Sequence, residues 1–223
     1  MFDRIAPRYD LLNQLLSFGR DAAWRKQFIR HLPPGSSLHA LDLATGTADV
    51  LIALAKNPRV ATGTGLDMSW EMLRRGRQKL LRLGLTPRFT LLRGDATAQG
   101  LAPETFDLVT MSFGIRNVTD VSACLREMRR VLKPGGRALI LEFSLPGNRL
   151  LRALYLAYFR HLLPRIGGLI SGDSHAYRYL NTTVETFPYG GAFLELMTGA
   201  GFHHVQAHPL TFGIATLYQG DKE

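Results

Sequence analysis

The sequence has a single cysteine, Cys124, among its 223 residues. An internal disulfide framework and a cysteine-based zinc site are therefore excluded, and a reducing, cytoplasmic setting is expected. No stretch reaches the roughly 18 apolar residues of a spanning helix. The opening, MFDRIAPRYD, lacks the apolar run of a signal peptide. Acid is scarce: 18 Asp and Glu stand against 27 Lys and Arg, a net charge of +9. Such a balance brings nucleic acid, anionic lipid or an anionic small molecule into view. Long like-charge runs are missing, however, and the Arg groups at 74–77, 126–130 and 149–165 read as solvated helix faces. Neither an internal repeat nor a low-complexity segment is present. What remains is an average globular composition, 46% hydrophobic and 20% charged, which excludes extended disorder and a collagen-like chain. The length suits one α/β domain over residues 1–223.

Residues 1–34 read as helices closed by Pro33-Pro34-Gly35, with apolar residues at three and four spacing in LLNQLLSF and WRKQFIRHL. Strand and helix then alternate. Strands are expected at 38–44, 61–67, 88–96, 106–114 and 137–144, and helices at 49–56, 69–84 and 121–133. Ser69 offers an N-cap and Gly84 sits where a left-handed C′ residue belongs. Pro134-Gly135-Gly136 is read as the stop of the 121–133 helix. After a segment of mixed helical text at 145–190, a helix at 192–201 precedes two strands joined without a crossover, hence antiparallel. The pattern predicts a Rossmann-like α/β fold, a mostly parallel sheet with helices on both faces and an antiparallel last strand.

Chemistry gathers at the strand ends. The first strand runs into Asp42-Leu43-Ala44-Thr45-Gly46-Thr47-Ala48-Asp49, where Gly46 lets the backbone pass under a ligand. Alanines occupy the flanking positions, 44 and 48, so this is not a G-x-G-x-x-G turn. Asp67 ends the second strand and suits the two hydroxyls of a ribose. Gly94-Asp95-Ala96 ends the third, and an acid there suits an adenine amino group. Three acids on one sheet edge are hard to explain as solvated surface. This turn lacks the second and third glycines that let a dinucleotide pyrophosphate lie on the helix N-terminus. S-adenosylmethionine carries no phosphate and a positive sulfonium, so the acids favour it. Leu132-Lys133-Pro134-Gly135-Gly136 and the antiparallel final pair fit a class I methyltransferase sheet of seven strands.

These residues resemble one family over essentially the whole chain: the ubiquinone/menaquinone biosynthesis C-methyltransferases of UbiE/MenG type. Tyr9-Asp10-Leu11-Leu12-Asn13 with Ser17 and Trp24 is similar to its first signature. Arg130-Val131-Leu132-Lys133-Pro134-Gly135-Gly136 followed by Glu142-Phe143-Ser144 is similar to its second. Ser112-Phe113-Gly114-Ile115-Arg116-Asn117-Val118, Leu163-Pro164-Arg165-Ile166-Gly167 and Tyr177-Arg178-Tyr179-Leu180 are further matching stretches. Asp21 stands where the family usually has His, and Ala48 where Gly is common, a change that a slightly wider turn would absorb. The chain begins almost at the first signature, so a truncated start is an open expectation.

The resemblance implies S-adenosyl-L-methionine as methyl donor and no metal. Gly46 and Thr47 would contact its methionine part, with Asp42 behind the amino group. Asp67 would hold the ribose, Asp95 and Ala96 the adenine, and Ser112 would lie at the floor of the site. The reaction implied is C-methylation of a prenylated hydroquinol, demethylmenaquinol in the first place, with the benzoquinol of ubiquinone biosynthesis as the alternative. Arg116 and Asn117 follow the fourth strand beside the donor. Arg116, always protonated, can stabilise an oxyanion or hold a water, and Asn117 can donate to the second oxygen. Tyr9 and Tyr177 are candidates for the substrate ring. Residues 145–190 would form a lid over the acceptor. On a helix over 149–165, Arg149, Arg152 and Arg160 fall within about 80° of one another beside a broad apolar face, as on an interfacial helix. The expected partners are the quinol, an anionic membrane surface touched peripherally and a second copy in a homodimer. A nucleic-acid methyltransferase is the remoter alternative, because an Asn-Pro-Pro-aromatic segment after strand four and an added RNA-binding domain are both missing. An NAD-linked dehydrogenase is disfavoured by the turn, and a non-catalytic binding module by the near-complete site. His203, His204 and His208 have no Cys or acid beside them to complete a metal site. Cys124, within a helix among apolar residues, reads as core.

Overall fold

The structure is a computed structural model that describes residues 17, 19–162 and 183–223. Seven strands form one sheet: β1 (Leu38–Leu43), β2 (Val60–Asp67), β3 (Phe89–Arg93), β4 (Phe106–Ser112), β5 (Leu132–Phe143), β6 (His203–Leu210) and β7 (Ala215–Asp221). Their order is β3-β2-β1-β4-β5-β7-β6. The first five are parallel, and β7 runs antiparallel to both β5 and β6. The described helices are α1 (Asp21–Arg30), α2 (Asp49–Leu54), α3 (Trp70–Arg82), α4 (Val121–Val131), α5 (Arg149–Ala157) and α6 (Gly191–Gly199).

The central strands are apolar on both faces because helices cover both. Side chains alternate along β5: Leu139, Leu141 and Phe143 join Trp24, Phe28, Leu51 and Leu54 on one face, while Ala138 and Ile140 join Cys124, Leu125 and Met128 on the other. Local signals fix the helix ends. Ser69 Oγ accepts the Met72 N–H at 3.3 Å, and Gly84, the residue beyond the last turn of α3, has φ +66°. Asp120 caps α4 through the Ala123 N–H at 2.8 Å, and Asn148 caps α5 through the N–H groups of Leu150 and Leu151.

One boundary differs from the sequence reading. The helix ends at Val131, two residues early, and β5 starts at once with Leu132. Pro134 disfavours helical backbone at the residue before it. The Pro-Gly-Gly segment is a bulged strand start rather than a mere stop. Leu132 pairs with Phe106, and Gly135, at φ +75°, donates its N–H to the Lys222 carbonyl at 2.7 Å. The Lys222 N–H returns to Gly136 O at 2.9 Å. The motif thus joins the sheet to the C-terminal strand.

The lid segment is described in part. α5 gives way after Ala157 to one π turn, Tyr158–Leu162, so a straight α-helix over 149–165 does not form in the described part. Arg160 pairs with Glu185, which removes one of the three expected stripe arginines from a free face. Leu150, Leu151, Leu154 and Leu162 are exposed. No described helix is long and apolar enough to cross a membrane.

Candidate functional site

β2 and β4 flank β1 on opposite sides, and the chain's direction of winding reverses there. Ligands of open α/β sheets bind beyond the strand carboxyl ends at such a point. A cavity of about 280 Å³ lies there, walled by Ala44, Gly46, Asp67, Met68, Met72 and Asp95 among others. Ala96, Phe113, Asn117 and Asp120 complete its functional lining. Three of the lining residues are Asp, and none of those described is Lys, Arg or His.

The turn after β1 reaches this cavity through unusual backbone. Ala44, Gly46 and Ala48 have φ of +49°, +53° and +67°. The expectation that a wider turn absorbs Ala48 is not met. Ala48 itself takes the left-handed conformation and is fully buried, with the Gly76 position of α3 so close that a Cβ there would lie 3.3 Å from the Ala48 methyl. The carboxylate of Asp67 is oriented by backbone: Oδ2 accepts the Gly46 N–H and Oδ1 the Ser69 N–H, both at 2.8 Å. A carboxylate offers about four lone-pair sites over its two oxygens, which suits it to ligand hydroxyls as well as to backbone N–H groups. Asp95 Oδ1 accepts both the Thr97 N–H and its hydroxyl at 2.8 Å, and Ala96 is buried beside it.

A small second cavity adjoins, lined by Arg25, Asp42, Ala44, Thr45, Thr47, Asp49, Val50, Ser112 and Phe113. Asp42 is fully buried there, with hydroxyls of Thr45 and Thr110 donating to its two oxygens at 2.6 and 2.7 Å. Burial pushes its carboxyl up to about 7, offset partly by those hydroxyls and reinforced by the charges of Asp67 and Asp49. Thr47 Oγ1 accepts from Lys79 Nζ at 2.8 Å. Ser112 Oγ is buried with no hydrogen-bond partner. Asp21, at the position where His was expected, holds Arg25 at 2.5 Å, and Arg25 reaches Asp49 at 3.6 Å. Arg25, Met68, Met72 and Asp120 went unassigned in the sequence reading.

Asn117 and Arg116 diverge. Both lie in the 3-10 turn Ile115–Asn117, which advances about 120° per residue. Asn117 lines the main cavity, whereas Arg116 is not part of its wall. Its Nη1 donates to Glu142 Oε1 at 2.6 Å and to Phe113 O at 2.8 Å, and the guanidinium lies 5.3 Å over the Phe143 ring. The Glu142 side chain is 1% exposed and that of Arg116 9%, so this is a buried ion pair, not a surface arginine. Glu142 Oε1 also accepts the Phe143 N–H at 2.8 Å. The sequence reading named Glu142 within a signature and gave it no role. Tyr9 and Tyr177 lie outside the described residues. Cys124 is fully buried, and burial pushes its thiol up to about 12, so it packs as an inert core residue.

The profile of the ubiE/COQ5 methyltransferase family matches residues 1–222. A protein of Syntrophotalea carbinolica named ubiquinone/menaquinone biosynthesis C-methyltransferase UbiE is 52% identical over 220 residues, 99% of this chain and 92% of that protein. A demethylmenaquinone methyltransferase of Thermus thermophilus is 44% identical over 222 residues, 100% of both chains. Among solved structures, an S-adenosylmethionine-dependent methyltransferase of Thermotoga maritima superposes with a TM-score of 0.69 at 19% identity, covering 100% of this chain and 98% of that one. A phosphoethanolamine N-methyltransferase of Haemonchus contortus bound to S-adenosyl-L-methionine gives 0.67 at 14% identity, covering 90% of this chain and 52% of that one. The last two likenesses are of fold.

Proposed function

The chain belongs to the ubiE/COQ5 methyltransferase family, and from that premise we propose that it methylates a ring carbon of demethylmenaquinol, with S-adenosylmethionine as donor. The observation that carries this reading is the cavity at the sheet's switch point, with three carboxylates and no described cation in its wall. A sulfonium nucleoside fits such a donor set, and a pyrophosphate does not.

The residues fit the cofactor part by part. Asp67, aimed by the N–H groups of Gly46 and Ser69, takes the ribose hydroxyls. Met68, Met72 and Ala96 offer apolar contact to the adenine, with Asp95 at its amino edge. The small cavity presents Arg25 and Asp42, a cation and an acid, to the carboxylate and ammonium of the methionine part, beside Thr47 and Ser112. When bound, the cofactor supplies an electrophilic methyl group with a neutral sulfur as leaving group. The protein's share is alignment and charge.

A hydroquinol carbon becomes a strong nucleophile as the neighbouring hydroxyl loses its proton. Arg116, fixed by Glu142 and the Phe113 carbonyl, stabilises the resulting oxyanion. Asn117 stands on the cavity side of the same turn, where it can donate to the acceptor's second oxygen. α5 and its π turn, the described start of the 145–190 segment, serve as part of a lid over the acceptor in one domain with the rest of the chain. α5 lies at an anionic membrane surface, its exposed leucines in the acyl boundary and Arg149 and Arg152 at the headgroups, so that the acceptor's tail stays in the bilayer.

The test is methyl transfer from labelled S-adenosylmethionine to demethylmenaquinol and to the benzoquinol of ubiquinone biosynthesis, each in short-tailed soluble form and long-tailed in anionic vesicles. Demethylmenaquinol is expected to be methylated faster. Arg149→Glu/Arg152→Glu is expected to slow only the long-tailed, vesicle-bound reaction. Transfer to neither quinol overturns the reading, and equal loss on soluble and vesicle-bound acceptors overturns the membrane part of it.

A further inference from the structure

α5 and its π turn bury only Tyr155 and Phe159 among their described residues. Tyr155 is 5% exposed, and its hydroxyl has no hydrogen-bond partner. For packing alone Phe would serve and would avoid an unsatisfied buried hydroxyl. A second orphan, Arg116 Nε, is buried without a partner as well. Arg116 is held through Nη1, which donates to both Glu142 and the Phe113 carbonyl, so one end of its fork is pinned while Nε is left to donate.

The two orphans share one environment. Arg116 and Glu142 both act electrostatically on the Tyr155 hydroxyl. Tyr155, Phe159, Phe143, Phe113 and Trp24 belong to one buried group. Tyr155 meets Phe159 at 5.1 Å between ring centres, Phe143 meets Phe113 at 4.4 Å, and Phe113 meets Trp24 at 6.0 Å. Phe113 also walls the main cavity, so this aromatic layer begins where the donor site ends. A flat, apolar, oxygen-bearing ring is the ligand that such a layer with two unsatisfied donors would take.

Resting on the quinol reading above, we propose that Tyr155 is a further catalytic residue: its hydroxyl and Arg116 Nε together donate to the acceptor oxygen adjacent to the carbon that is methylated. The tyrosine keeps its proton throughout. Its hydrogen bond strengthens as the oxygen turns anionic and so favours the ionised ring from which the carbon attacks. Burial holds the Tyr155 hydroxyl above the ordinary phenol range, which suits a donor and not a base.

The experiment compares wild type and Tyr155→Phe, which removes one oxygen and keeps the ring. Turnover on short-tailed demethylmenaquinol is expected to fall about 10–100-fold, the loss of one hydrogen bond to a developing charge. S-adenosylhomocysteine affinity should stay within about twofold and the melting temperature should hold or rise. A second readout uses 4-nitro-1-naphthol, whose ionised form absorbs visible light. Its pKa when bound should be about one unit or more higher in the variant. Wild-type turnover with an unaffected variant, or an unchanged naphthol titration, overturns the proposal and leaves the quinol reading standing. A lowered melting temperature with lost cofactor affinity makes the hydroxyl structural and also overturns it. A wild-type enzyme that methylates neither quinol overturns that reading and this proposal with it.

Discussion

With the methionine ammonium placed against Asp42 as proposed, its binding becomes a proton-linked event. The Asp42 carboxyl lies near pH 7 in the ligand-free fold, raised from 3.8 chiefly by complete burial. A cation placed against it favours the ionised form, so below pH 7 the ligand must first drive a proton off. Each pH unit below 7 then costs about 1.4 kcal/mol of binding, or tenfold in Kd, down to the point where the neutral complex takes over. Affinity for S-adenosylhomocysteine, which shares the amino-acid part, should therefore rise about 15-fold from pH 5.5 to 7 and about twofold more by pH 8, where it levels. Calorimetry in two buffers of different ionisation enthalpy should show close to one proton released at pH 6 and almost none at pH 8. Asp42→Asn should bind weakly at every pH and release no proton. Stability responds in the opposite sense. Between pH 4 and 7 the folded chain holds a proton on Asp42 that the unfolded chain has lost, so stability falls as pH rises. Across that whole interval the loss grows to about 4 kcal/mol and stays there above pH 7; Asp42→Asn should recover it in denaturant melts at pH 8 and gain little at pH 4. A wild-type Kd that is flat from pH 5.5 to 7.5, or a variant that keeps the slope, would refute the assignment.

Asp67→Ala should weaken cofactor affinity at least about tenfold, since two hydrogen bonds to a carboxylate, each worth about 1.5–3 kcal/mol, are only partly replaced by water; unchanged affinity in calorimetry removes Asp67 from the ribose. Ala48→Gly should leave the melting temperature nearly unchanged. Relief of left-handed backbone strain, about 1 kcal/mol or more, is offset by the lost methyl and the looser unfolded chain, and a loss above about 2 kcal/mol counts against strain at this turn.

The strand-end acids were legible because position along a parallel strand is a one-dimensional property. Once Leu38–Leu43 and Val60–Asp67 are read as strands, Asp42 and Asp67 must lie at the carboxyl edge, where the sheet puts them. Gly46 was legible for the same reason. Residues whose meaning depends on a distant partner were not. Glu142 interrupts an apolar strand with nothing local to explain it, because its partner, Arg116, lies 26 residues earlier. Tyr155 sits in an apolar helical stripe where Tyr and Phe are equivalent by pattern, and only the missing hydrogen bond separates them. Arg25 is one helical turn from Asp21, but the acid it reaches beyond that, Asp49, belongs to another helix. The early end of α4 was hidden because Pro-Gly-Gly reads as a stop, and its pairing with Lys222 spans the rest of the chain. Adjacency says only that Arg116 and Asn117 share a turn; that Asn117 and not Arg116 lines the main cavity follows from the 3-10 geometry of that turn.

The Arg116–Glu142 pair decides whether Glu142 tunes the guanidinium or does chemistry itself. With N–O at 2.6 Å and both side chains almost wholly buried, loss of one partner leaves an uncompensated charge, worth about 3–5 kcal/mol in such pairs. Glu142→Gln is the mild form of that loss. The amide oxygen can take the place of Oε1 and keep the bonds from Arg116 Nη1 and the Phe143 N–H, while the negative charge disappears. Stability should drop by somewhat less than the full figure, about 2 kcal/mol, read as a lower denaturation midpoint. The guanidinium stays in place and is no longer neutralised from behind, so its field at the acceptor oxygen grows. Turnover in the folded variant should hold within a few-fold of wild type. Arg116→Ala, by contrast, should lose about 2.7–4 kcal/mol of barrier, or a hundredfold and more, with S-adenosylhomocysteine affinity nearly unchanged. If Glu142→Gln instead loses as much turnover as Arg116→Ala while its denaturation midpoint stays put, Glu142 is accepting the acceptor's proton, and its role as the anchor of Arg116 is wrong.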